Sequence, residues 1–72
     1  MALQLELSDE VLLPEIMGAL SRNGCLINRV TPKVCRVVYP RAEDPREAWL
    51  EIGFFVRAWQ IHHPGVEAIL SR

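Results

Sequence analysis

Several things are scarce in this 72-residue chain, and each scarcity removes a class of function. There are only two cysteines, Cys25 and Cys35, with no C-x-x-C step and no Cys/His spacing suited to zinc. A disulfide framework and a structural zinc site are therefore not expected. Neither charge dominates, with eight Lys and Arg against nine Asp and Glu. The basic residues Arg22, Arg29, Lys33, Arg36, Arg41 and Arg46 are scattered among acids, not gathered into the stripe that nucleic-acid binding needs. No apolar run approaches the roughly 18 residues of a membrane span. The amino terminus lacks a basic stretch followed by a long apolar one, so no secretory leader is expected. There is no Gly-rich phosphate loop, no catalytic carboxylate pair and no Ser/His/Asp set. A cytoplasmic, non-catalytic protein without cofactor or metal is the expectation.

What the chain has in quantity is apolar residues, at 50% of the total. A chain this short forms one domain, expected over residues 1–72, and buries only about 60% of the surface its unfolded form exposes. Part of the apolar surface should then meet a partner, and a homodimer or higher homo-oligomer is expected.

The pattern along the chain sets the fold. Residues 2–7 alternate, with Leu3, Leu5 and Leu7 on one side and Gln4 and Glu6 on the other, as in a half-buried strand. Ser8, Asp9 and Glu10 form a helix start. Pro14 belongs in a first turn, which moves the regular helix toward Leu12. Leu13, Ile16, Met17 and Leu20 mark one helical face, and Asn23-Gly24 is a stop signal. Two β-rich runs, 25–30 and 34–39, flank Thr31-Pro32-Lys33 and read as a hairpin. Cys25 and Cys35 fall within them as small core residues. Asp44-Pro45-Arg46-Glu47 has N-cap, N1 and N3 residues of a capping box. The helix it opens should run to about Ile61 before His62-His63-Pro64-Gly65. Val66, Ala68 and Leu70 alternate in a last strand.

The order β-α-β-β-α-β predicts an α+β ferredoxin-like plait: a four-stranded antiparallel sheet with two helices on one face. The other sheet face would show Gln4, Glu6, Leu26, Asn28, Val30, Val34, Arg36, Val38, Glu67 and Ile69. Trp49, Ile52, Val56 and Trp59 form the main stripe of the second helix, and Leu50, Phe54 and Ile61 lie outside it. Interface candidates are thus Val34, Val38 and Ile69 on the sheet and Leu50, Phe54 and Ile61 on the helix. Trp59 suits both the core and an interface, where Trp is enriched.

Residues 8–27, and above all Met17-Gly18-Ala19-Leu20-Ser21-Arg22-Asn23-Gly24, resemble the opening of an ACT domain. The likeness is to the small regulatory subunits of acetohydroxyacid synthase. It implies a regulatory module that dimerises, pairs with a large enzyme subunit and senses an amino acid. The effector-binding candidates by that resemblance are Ser8, Asp9, Glu10, Val11 and Leu12. Where the family has Pro-Gly, this chain has Glu10-Val11, and a branched side chain replaces the glycine that lets backbone approach an effector. Association is less affected by that change than sensing.

Two other classes compete. An RNA-recognition plait needs aromatics on its central strands, and Tyr39 is the one aromatic in that region. A small enzyme with a site between subunits would draw on His62, His63 or Asp9. The simpler role for the histidines is at a helix C-terminus, where a cation suits the dipole.

Overall fold

The structure, a computed structural model, describes residues 2–72. Met1, part of the expected domain, lies outside the described residues. Strand β1 (Ala2–Leu7) leads through a 3-10 turn (Glu10–Leu12) into helix α1 (Leu13–Arg22). Strands β2 (Leu26–Arg29) and β3 (Val34–Val38) form a hairpin, followed by helix α2 (Pro45–Ile61) and strand β4 (Ala68–Ser71). The sheet is antiparallel throughout, in the order β2-β3-β1-β4. This is the α+β arrangement of a ferredoxin-like plait.

Local chemistry sets the helix ends. Asp9 Oδ1 accepts a hydrogen bond from Val11 N–H (3.0 Å) and opens the 3-10 turn. Pro14 then sits inside the first turn of α1, where a missing N–H costs nothing. Gly24 has φ +91°, and its N–H donates to Ser21 O (3.0 Å) while Cys25 N–H donates to Leu20 O (3.1 Å). That pair of bonds is a Schellman stop, and it requires the left-handed backbone that glycine tolerates. Asp44 caps α2 through Glu47 N–H (2.8 Å). The return bond of the capping box is displaced by one residue: Glu47 Oε2 accepts from Glu43 N–H (3.2 Å), not from Asp44.

Thr31 shapes the hairpin by accepting from Lys33 N–H (3.2 Å) and Val34 N–H (3.1 Å) through Oγ1. The pairs Leu26↔Val38 and Arg29↔Cys35 centre the register on Pro32. The two cysteines are therefore not opposite each other. Arg29, whose charge interrupts the β2 pattern, reaches over the turn and donates to Thr31 O (3.3 Å) and Pro32 O (2.9 Å).

A single core joins Leu3, Leu5 and Leu7 of β1, Cys35 and Val37 of β3, Leu13, Ile16 and Leu20 of α1, and Ile52, Val56 and Trp59 of α2. Both helices therefore cover the same sheet face. Burying a side chain of this size contributes about 1.5–3 kcal/mol, so most of the fold rests on this layer.

Four strand ends differ from the sequence expectation because nearby polar groups claim the backbone. The last strand starts at Ala68, not Val66, since Val66 N–H donates to His63 O (3.2 Å) and Glu67 N–H donates to Ser8 Oγ (2.9 Å). Glu67 therefore precedes the sheet and does not lie on its open face. The third strand ends at Val38 because Tyr39 O accepts from Ala42 N–H (3.2 Å) in a turn. The second runs from Leu26 to Arg29, with Cys25 N–H committed to the helix stop and Val30 N–H bonded to Val34 O (2.9 Å) across the turn.

Candidate interaction surfaces

Three regions carry the side chains singled out by sequence. The first is the uncovered sheet face. Cross-strand pairing arranges it in rows. Leu26, Val38 and Ala2 form one row. Asn28, Arg36, Gln4 and Ser71 form the next. Val34, Glu6 and Ile69 form the third, with Val30 beside Val34. Leu26, Val30 and Ile69 are 63%, 49% and 57% exposed, and Val34 and Val38 are half-buried by their neighbours. The polar row is thus flanked on one side by an apolar row and on the other by one in which Glu6 separates Val34 from Ile69. The central strands present Gln4, Glu6, Val34 and Arg36 where an RNA-recognition plait would present stacking aromatics. Tyr39 instead packs against the core.

The second region is the outer flank of α2. Leu50, Phe54 and Ile61 are all well exposed there. Trp59 is not part of it. The ring is only 9% exposed and belongs to the core, because α2 turns its Ile52–Val56–Trp59 stripe onto the sheet. Of the two roles that suited Trp59, the core one matches its place in the chain, in place of the interface one. Trp49 is half-buried, and the Arg72 guanidinium lies 5.2 Å from its ring centroid.

The third region is the segment from Ser8 to Leu12. Ser8 Oγ accepts from Glu67 N–H, and Asp9 Oδ1 accepts from Val11 N–H. Leu12 packs against the core. Glu10 and Val11 face solvent, Val11 at 78% exposure. Ser8 Oγ and Asp9 Oδ1 thus hold the approach to β4 and the 3-10 turn, while the Glu10 carboxylate faces solvent.

The histidines separate in role. His62 supplies the backbone cap of α2. His63 stacks on Trp59, with centroids 3.8 Å apart and planes at 13°. Its Nδ1 lies 2.9 Å from Trp59 O and its Nε2 3.1 Å from Glu15 Oε1. Both ring nitrogens of His63 are engaged, and Asp9 Oδ1 is engaged with Val11, while His62 is exposed at the end of α2. Sequence reasoning did not single out Glu15, since it lies 48 residues from His63 in the chain.

The cysteines are free and buried. Burial raises both thiols, Cys35 to about 11 despite an opposing pull from Arg29. No group of His, Cys, Asp and Glu able to hold a metal ion occurs among the described residues. No helix among them is long and apolar enough to cross a membrane.

Two clefts were not foreseen. One of about 240 Å³ lies between the end of α1 and α2, with Asn23, Tyr39, Arg41 and Glu51 on its walls. The other, also about 240 Å³, runs between α2 and β4 past Trp49, Gly53, Val56, Arg57 and Leu70. The first mixes a guanidinium with a carboxylate, whereas the second has Arg57 as its one charged wall. Neither a family model, nor a curated protein, nor a solved structure matches the chain.

Proposed function

We propose that this chain is a non-catalytic association module that pairs with a second copy through the uncovered face of its sheet. The observation that carries this reading is the layout of that face. Apolar side chains at either side, Leu26 with Val38 at one and Val30, Val34 and Ile69 around Glu6 at the other, can be buried against a partner, and exposed apolar surface of this kind marks contact surfaces. Arg36 in the middle row and Glu6 in the row beside it give the face one charge of each sign, so a copy of the same face can dock without forcing like charges together. A standard interface takes about 800 Å² from each partner, roughly a sixth of the 4691 Å² surface.

The regulatory form of this reading, with a large enzyme subunit as further partner and an amino acid as effector, rests on the ACT-like residues 8–27. Its effector segment offers Glu10 and Val11 to solvent, with Ser8 and Asp9 tied into the fold. Sensing is therefore secondary to assembly.

Light scattering at micromolar concentration tests the main reading. The expected result is a dimer that Val38→Glu converts to a folded monomer. A wild-type monomer, or a dimer indifferent to Val38→Glu, overturns it. Sensing is tested separately: a branched-chain amino acid should raise the melting temperature, and Val11→Lys should abolish the rise.

A further inference from the structure

Gly53 stands in the middle of α2, where glycine costs about 0.5–1 kcal/mol relative to alanine. Packing inside the domain gives no reason for it. A Cβ placed on Gly53 would meet no atom within 4 Å. The backbone there is helical, unlike that of Gly24 and Gly65, which have positive φ. The missing side chain leaves a notch that opens outward.

That notch lies where two grooves adjoin. One, of about 240 Å³, separates α2 from β4 and is walled by Trp49, Val56, Gln60, Ala68 and Leu70. The other, about 130 Å³, continues over the outer flank of α2 past Leu50 and Phe54. Gly53 and Arg57 belong to both.

Beside the first groove runs a free strand edge. β4 pairs with β1 alone and ends the sheet. Edge strands are normally guarded by proline, charge or a bulge. Ala68-Ile69-Leu70-Ser71 contains neither proline nor charge. This short, uncharged edge runs beside a groove of mixed lining, with Trp49, Val56 and Leu70 as apolar walls and Gln60 and Arg57 as polar ones, a setting for strand addition, in which backbone bonds give affinity and alternate side chains enter pockets.

The charge selects the occupant. Arg57 lines both grooves and no carboxylate does. Arg72 lies over Trp49, which also lines both. The ion pair among the described residues is His63–Glu15, so neither arginine is neutralised within the chain. A second copy seated here by a two-fold axis through Gly53 would bring the two Arg57 side chains into one seam. A partner of opposite charge avoids that.

We infer that the α2–β4 groove receives an extended, acidic segment of a different protein. It adds as a fifth strand to β4, with one apolar side chain seated at Gly53 and a flanking Asp or Glu against Arg57. This surface is separate from the sheet face, so the inference stands independently of self-association.

The test uses the full chain and a pool of synthetic heptapeptides with Val, Leu or Phe at alternate positions and Glu at both ends. Fluorescence anisotropy measures binding, and backbone amide shifts map it. The expected result is binding that shifts Gly53 and Ala68–Ser71. It should weaken at least about tenfold when Lys replaces both terminal Glu, and likewise in Arg57→Glu and Gly53→Leu. Leucine favours a helix and its Cβ enters open space, so Gly53→Leu should keep or raise the melting temperature while losing the peptide. Val38→Glu should bind normally. No binding by the pool, or binding indifferent to Gly53→Leu and Arg57→Glu, overturns the inference. So does loss of self-association in Gly53→Leu, which would make a second copy the occupant.

Discussion

His63 holds α2 to α1 through Glu15: the imidazole Nε2 is 3.1 Å from the carboxylate, although α1 and α2 are separated by the whole β2–β3 hairpin. A neutral ring can donate from one nitrogen only, so only the imidazolium can donate to Trp59 O and Glu15 together.

A pH dependence follows from that bond pattern. The hydrogen bond to Trp59 O is the main cause raising the His63 pKa above 6.5; partial burial opposes it and Glu15 adds to it. A group raised on folding stabilises fully below its unfolded value and loses that contribution as pH rises through its folded value. Melting temperature should therefore fall as pH rises from about 6.5 through the raised pKa and level off above it. Thermal melts of His63→Asn should lose that slope, and Glu15→Gln should shrink it.

The thiols should be inert in the folded state. Only the thiolate attacks alkylating agents, and Cys35 at about 11 is protonated at neutral pH as well as fully buried. Iodoacetamide followed by mass spectrometry should leave both cysteines unmodified natively and label both in denaturant. Cys35→Ser should cost about 1–3 kcal/mol, because a buried hydroxyl would need a partner there.

Gly24→Ala should destabilise by about 1 kcal/mol, since alanine must enter the φ +91° backbone of the helix stop. For a domain of this size that corresponds to a fall of about 4–8 °C in melting temperature. A neutral result in a thermal melt would mean that α1 can end differently.

Asp44→Ala should cost about 1 kcal/mol through loss of the α2 cap. Glu47→Ala should cost less, because its carboxylate holds the exposed Glu43 amide and not the cap itself. Urea unfolding of both variants and of the double variant orders the two contributions.

Features set by near neighbours were readable in advance. The alternation of Leu3, Leu5 and Leu7, the Asn23-Gly24 stop, the Asp44 cap and the hairpin around Thr31-Pro32-Lys33 all depend on contacts within a few residues. The plait follows once these elements are placed in order. What escaped were relationships fixed by docking. The rotation of α2 on the sheet decides between the two roles open to Trp59 and leaves the Gly53 position uncovered. Ser8 helps shorten β4 from 59 residues away. Glu15 gains its role only when the end of α2 arrives beside α1.

The position of β1 has a consequence for how the chain folds. It is an inner strand, with β3 on one side and β4, more than sixty residues away in sequence, on the other. Pairings so distant form late and slow the reaction. Until residues 68–71 arrive, β1 is itself an exposed edge carrying Leu3, Leu5 and Leu7. A neighbouring molecule's β4 can take that place, so refolding at high concentration should yield swapped dimers, and dilution before refolding should suppress them.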